Sequence, residues 1–289
     1  MLTQKQKERY AREGYLLVPG ILSAEQVRWL RAFFRAKFDS PGPPPDTHHW
    51  LADIFGRYPE VRWLCFHEPT LQVVRALFGN DIVMLPESTA QFNYFGRWHK
   101  DTGSFDRAGR LFFKEKDFLQ WGLAYYLQDN TVAYGGGLDV EPGSHRQPDD
   151  PFIDLKDRRS IWKRIWHQID RPARRKYWQA WEEHGGYVPS EVVSIPSRAG
   201  DMVIFDSRVN HHATPARGLV PQKGWIPRGL LPFEHEKLAL FSSWSRNNST
   251  ARAYMDWTKT RWEYPHLKNF SYPADFLKEA ENTGVNLIY

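Results

Sequence analysis

In Trp98-His99-Lys100-Asp101 an imidazole and a carboxylate are separated by one residue. On an extended strand alternate side chains share a face, so His99 and Asp101 are expected to aim at one point. Such a pair supplies two corners of a two-histidine, one-carboxylate facial triad, the arrangement that holds Fe(II) and leaves positions open for other ligands. His-x-Asp alone is a weak signal and needs a third donor from elsewhere. Asn210-His211-His212 is the best source, because the turn Gly200-Asp201 and the apolar run Met202-Val203-Ile204-Phe205 can carry a histidine across a barrel. An isolated His-His pair reads more readily as two surface residues. Beside His99 and Asp101 it reads as a ligand, and either histidine can serve.

The elements that must position these residues can be sketched from spacing. Residues 3–13 read as a short charged helix ended by Gly14, and Tyr15-Leu16-Leu17-Val18-Pro19-Gly20 as a brief apolar strand stopped by a turn. Ser23 and Gln26 fit a capping box ahead of a helix over about 24–38, with an apolar stripe at Val27, Leu30, Phe33 and Phe34. From Asp81 onward short runs rich in Val, Ile, Phe, Tyr and Trp alternate with Gly and Pro turns, at 82–85, 90–97, 119–128, 137–141, 192–196, 202–206 and 238–244. This texture predicts a mainly β protein with flanking helices, a barrel or sandwich rather than a βαβ array. An amphipathic helical insertion is expected at about 155–184, where Ile161, Ile165 and Ile169 recur every fourth residue. All 289 residues are read as a single domain.

Composition narrows the function classes. Thirteen Trp, 13 Tyr and 18 Phe make 15% of the chain, enough for rigid pocket walls around an organic substrate. Net charge is +5, but only the stretch Arg158 to Lys176 is densely basic, so no nucleic-acid partner is expected. The single cysteine, Cys65, excludes an intrachain disulfide and fits a reducing compartment. The opening MLTQKQKERY has no apolar run, so no signal peptide is expected, and no window of the chain approaches a membrane span. A cytoplasmic protein, monomeric or homodimeric and without a membrane partner, is the expectation. Gln91 and Asn93 share a face of the strand that leads to His99, with Tyr94 on the other face, and Trp121 follows the 102–118 loop. Asn93, Tyr94 and Trp121 are expected to line a substrate pocket.

Taken together, four segments resemble the phytanoyl-CoA dioxygenase family of Fe(II)/2-oxoglutarate oxygenases. They are Glu13-Gly14-Tyr15-Leu16-Leu17-Val18-Pro19-Gly20, Trp98-His99-Lys100-Asp101, the Gly-Gly-Leu…Pro-Gly-Ser-His run that ends at His145, and Asp206-Ser207-Arg208-Val209-Asn210-His211. The resemblance spans residues 7 to 245. It implies a double-stranded β-helix (jelly-roll, cupin-like) core. It also implies Fe(II), with 2-oxoglutarate and O2 as co-substrates, and it selects His211 over His212 as the third ligand beside His99 and Asp101. No catalytic residue beyond the metal ligands is implied.

One departure concerns the co-substrate. Family members place an arginine about a dozen residues after the distal histidine, where it holds the far carboxylate of 2-oxoglutarate. Here that spacing falls on Gln222 and Lys223, inside an insertion from Gly218 to His235. Lys237, at the start of the next strand, is the first candidate for that cation, with Arg228 and Arg217 as competitors, and Gln91 is expected beside it. The implied reaction is oxidation of an unactivated C–H bond of a small organic molecule, with a secondary metabolite preferred. An acyl-CoA substrate and a non-redox metal-binding jelly roll are the alternatives. The helical insertion at about 155–184 and the 102–118 loop are expected to form the lid.

Overall fold

The computed structural model describes residues 2–42, 46–147, 189–217, 224–261, 267–268 and 270–288. The expected insertion at 155–184, the basic stretch Arg158 to Lys176, and Gln222 and Lys223 lie outside these residues.

The N-terminal helices form where local signals place them. Helix α1 (Gln4–Glu13) starts at Thr3, whose side chain accepts from the Gln6 N–H, and ends at Gly14 with φ 82°. Helix α2 (Ala24–Asp39) starts at the Ser23–Gln26 capping box and buries Val27, Leu30, Phe34 and Phe38. Each such apolar side chain contributes about 1.5–3 kcal/mol on full burial. The short α3 (Ile54–Arg57) and the longer α4 (Glu68–Phe78) complete this layer.

A seven-stranded sheet follows, in the order β1 (Tyr15–Val18), β7 (Met202–Asp206), β4 (Gln120–Tyr126), β9 (Leu238–Arg246), β3 (Ile82–Phe92) and β10 (Asn286–Leu287), with β2 (Trp50–Ala52) also paired to β3. All its pairings are antiparallel except β3 with β10. A three-stranded antiparallel sheet has the order β6 (Val193–Ser194), β5 (Leu138–Val140) and β8 (His211–Ala213). One apolar cluster packs α2 and α4 on the outer face of the large sheet, through Phe34, Phe38, Leu71, Phe78, Leu123 and Ile204. A second joins the two sheets, through Tyr126, Val203 and Ala239 on one side and Leu138 and Val140 on the other. Helices α5 (Gly103–Arg107), α6 (Ser249–Thr258) and α7 (Ala274–Thr283) flank the sheets. The chain is a mainly antiparallel β protein with flanking helices, as its alternation predicts.

Two local expectations change. The runs 82–85 and 90–97 are not separate strands, because β3 continues through Pro86 and ends at Phe92. Proline has no N–H for the ladder, and the register to β9 shifts between Met84 and Ser88, around it. Beyond Phe92 the chain turns at Asn93, whose φ of 48° stops the strand. As a result His99 and Asp101 do not sit on a regular strand. His99 makes an isolated bridge to His211, and Asp101 begins the turn into α5.

Candidate metal centre and its cavity

His99 and His211 exchange both backbone hydrogen bonds, each N–H to the other's carbonyl at 3.0 Å. This pairing adds His99 to the edge of the small sheet and sets the two imidazoles side by side, centroids 4.3 Å apart and planes tilted by 51°. Asp101 lies below both rings, its Oδ1 3.6 Å from Nε2 of His99 and 3.7 Å from Nε2 of His211. The three donor atoms fall within 4.8 Å of one another.

The ring orientations are fixed from behind. Nδ1 of His99 lies 2.6 Å from the carbonyl of Arg97, and Nδ1 of His211 lies 3.0 Å from that of Val209. Each Nδ1–H is therefore used by the backbone, and each Nε2 presents a lone pair toward Asp101. Burial, with His99 alongside, pushes His211 well below the usual histidine range, so its ring is neutral. Burial raises the Asp101 carboxyl, with His99 opposing and Asp206 adding to the rise. Gaps of 3.6 and 3.7 Å are too long for hydrogen bonds. Two imidazole nitrogens and a carboxylate thus converge with no hydrogen bond joining them, a donor set that suits a divalent cation of the iron class.

The sequence around His211 folds this way for visible reasons. Arg208 clasps Asp206 through two bonds, Nε to Oδ1 at 2.9 Å and an η-nitrogen to Oδ2 at 2.7 Å, which tightens the turn before Asn210. The Ser144 hydroxyl accepts from the Asn210 N–H at 2.8 Å and donates to the Glu141 carbonyl at 2.7 Å. The Glu141 carboxylate takes the Asn210 side-chain amide at 2.5 Å. The Pro-Gly-Ser-His run is thus the clamp that seats His211. His212 faces the other way, 3.0 Å from Asp139 and against Trp98. Burial opposes ionisation of Asp139, but bonds from His212 and Thr214 hold it below its usual range.

The three donors open onto a cavity of about 640 Å³ between the two sheets. Lys237, Gln91 and Tyr94 line it. Lys237 is 2% exposed, donates to the Tyr94 carbonyl at 2.6 Å and has no acidic partner among the described residues. Burial pushes its ammonium down to about 7. One step along the sheet, Gln91, Ala239 and Tyr126 stand opposite one another on β3, β9 and β4. The buried Tyr126 hydroxyl has no hydrogen-bond partner among the described residues. A buried cation and an orphaned phenol at one end of a cavity are a cradle for an anionic oxygen group.

Four expected residues lie elsewhere. Arg228 is bonded to Asp39 and lies over Phe92, away from the cavity lining. Asn93 is turned inward by its positive φ, and its side-chain oxygen accepts from the Lys237 N–H at 2.9 Å. Trp121 faces the helices and stacks on Phe78 at 3.8 Å, because alternation on β4 gives the cavity to Gln120, Gly122 and Tyr126. Arg217 is also absent from the lining.

Sequence reasoning missed Glu87, Ser104, Phe105, Tyr126, Phe241 and Tyr254, all of which line the cavity. Glu87 was within reach of a period-two count back from Gln91 through Thr89. Pro86 disguised it by making the run look broken. The 102–118 loop borders the cavity through Ser104 and Phe105, while Phe105, Phe112 and Phe113 pack on Tyr254 and Trp257 of α6.

The comparisons with known proteins agree with this geometry. No curated protein matches the sequence. Among solved structures, the chain is similar to the non-haem α-ketoglutarate-dependent epimerase SnoN from nogalamycin biosynthesis, at 19% identity and TM-score 0.53, covering 84% of this chain and 80% of that one. SnoN is also known in complex with Fe3+, α-ketoglutarate and nogalamycin RO. EvdO2 from Micromonospora carbonacea var. aurantiaca, complexed with 2-oxoglutarate, is similar at 16% identity and TM-score 0.52, covering 85% and 91%. EctD from S. alaskensis, with 2-oxoglutarate and 5-hydroxyectoine, is similar at 17% and 0.53, covering 84% and 76%. These likenesses establish the fold as the jelly-roll, double-stranded β-helix type. The profile of the phytanoyl-CoA dioxygenase (PhyH) family matches residues 10–223, well over half of the 289. The chain therefore belongs to the phytanoyl-CoA dioxygenase family.

Proposed function

We propose that this protein is an Fe(II)- and 2-oxoglutarate-dependent dioxygenase that oxidises an unactivated C–H bond of a small organic molecule, by preference a secondary metabolite. The observation that carries the reading is the convergence of His99, Asp101 and His211 within 4.8 Å at the wall of a cavity. These three residues would hold the iron. When bound, iron with 2-oxoglutarate supplies O2-dependent oxidation coupled to release of succinate and CO2.

The chain's own residues do the rest. Lys237 would hold the far carboxylate of 2-oxoglutarate, with Gln91 and the Tyr126 hydroxyl supplying further polar contacts on adjacent strands. A buried lysine provides a point charge rather than the two-pronged contact of an arginine. The backbone carbonyls of Arg97 and Val209 keep both imidazoles in the ligating tautomer. Phe205, packed 4.8 Å from the His211 ring, and Phe241 exclude water from one side. A volume of about 640 Å³ lies in the range of pockets that take one small organic molecule with a co-substrate. The relatives named for nogalamycin and 5-hydroxyectoine favour a small metabolite over a macromolecule. Among the described residues no helix is long and apolar enough to cross a membrane.

The test is turnover. Purified protein with Fe(II), ascorbate and 2-oxoglutarate in air should release succinate at a rate abolished by chelator and by Asp101→Ala. Well-folded protein that binds iron but never converts 2-oxoglutarate would instead support a non-redox jelly roll.

A further inference from the structure

The cavity has two chemically different ends. At one, Lys237, Gln91 and Tyr126 suit an anion. At the other, Glu87 projects from β3 on the same face as Thr89 and Gln91, about 13 Å from Gln91 at roughly 3.3 Å per strand residue. The candidate metal ligands lie along the wall between them, with Asp101 near enough to Glu87 to be felt electrostatically. Once the Lys237 end is taken by 2-oxoglutarate, the Glu87 end is the space left for the molecule to be oxidised.

Glu87 has neither a hydrogen bond nor an ion pair to any described residue, although it is half-buried and faces the cavity. A carboxylate taken out of water without a partner is costly. Burial pushes its carboxyl up to about 7, with Arg261 opposing and Asp101 adding to the rise. The cavity's other cations have contacts of their own. Lys100 donates to the carbonyls of Ser144 and Gln147, and Arg261 lies over the Trp257 ring at 4.6 Å. Arg97 lines the cavity by the metal site, on the segment that carries His99. The same cavity is also lined by Phe105 and Tyr254 from the flanking segments, by Ser104, and by Ser243 of β9, next in register to the Ser88–Ser242 pair. A lone carboxylate beside aromatic rings is the environment that attracts an ammonium group, through a charge-assisted hydrogen bond and the ring faces together.

We propose that Glu87 is a specificity-determining residue that binds a basic amine of the primary substrate, so that the enzyme oxidises an amine-bearing small molecule. The inference rests on the reading of this cavity as an iron oxygenase site. It disfavours an acyl-CoA at this end, whose phosphates would meet a carboxylate. Glu87 touches the substrate rather than the iron, and the distance from Glu87 to the metal site would set which carbon of the substrate is oxidised.

The experiment uses the anaerobic Fe(II)–2-oxoglutarate holoprotein, with proteins compared at equal 2-oxoglutarate loading. Two isosteric pairs are titrated, tryptamine against tryptophol and benzylamine against benzyl alcohol, with dissociation constants read from the shift of the visible charge-transfer band. In each pair the amine should bind at least about tenfold tighter, the size of one charge-assisted hydrogen bond. Glu87→Gln should erase that preference and Glu87→Asp should keep part of it. Wild-type protein that binds the amines no better than the alcohols, or binds neither, overturns the proposal without any variant. Survival of the preference in Glu87→Gln also overturns it. Absence of the band itself would contradict the oxygenase reading instead, so the two failures are distinguishable.

Discussion

His99, Asp101 and His211 differ in how each is held. His211 is 7% exposed and clamped by Glu141, Ser144 and Asn210, whereas His99 and Asp101 are 48% and 39% exposed at the cavity wall. The neighbouring cation is the more unusual residue. Lys237 is depressed to about 7 from the ordinary 10.5, so between those values the unfolded chain binds a proton that the folded chain lacks. Stability of the ligand-free protein should therefore rise with pH across that window. A dicarboxylate restores the charge, so 2-oxoglutarate affinity should be level below pH 7 and weaken above it, by up to about tenfold per unit. Lys237→Met should raise the KM for 2-oxoglutarate by roughly 10- to 100-fold, the loss of a charged hydrogen bond, and Lys237→Arg should recover part of it. Equal KM values in wild type and Lys237→Met would assign the anion site elsewhere.

At the scale of elements, the site depends on contacts between segments far apart in sequence. Gly14 ends α1 with φ 82°, and a Cβ there would collide with His145 and Val209, from the two segments that seat His211. Gly14→Ala should destabilise the fold by about 1–3 kcal/mol, read as a lower denaturation midpoint, and should weaken iron binding with it. Helix boundaries were legible in the sequence because capping is local: Ser23, Gln26 and Gly14 act within one turn. The triad was legible because two donors share one tripeptide and the third lies in a recognisable motif. The pocket wall was less so. Trp121 looks like a wall residue, but which face of β4 meets the helices is decided by pairing with β7 and β9, a long-range choice. Arg228 looked like an anion-binding cation until Asp39, 189 residues away, supplied its partner. Glu87 was hidden by Pro86, whose break in the ladder the irregularity of β3 absorbs.

For the molecule as a whole, the arrangement is a helical layer on one face of a large sheet and a cavity on the other, facing the small sheet that carries His211 and bridges to His99. Binding of iron and 2-oxoglutarate would join the two sheets through His99 and His211 on one side and Lys237 on the other. Each ligand that binds only the folded state stabilises it by about 2.7 kcal/mol at one hundred times its Kd, so Fe(II) with 2-oxoglutarate should raise Tm by several degrees and a chelator should reverse the shift. The central claim is that His99, Asp101 and His211 bind the iron that 2-oxoglutarate chelates. Its most direct test is an anaerobic Fe(II) and 2-oxoglutarate titration followed by the weak visible metal-to-ligand charge-transfer band, in wild type, His211→Ala and His212→Ala. The account predicts the band in wild type and His212→Ala and its loss in His211→Ala. Folded wild-type protein with no band, or a band that survives in His211→Ala and vanishes in His212→Ala, would contradict it.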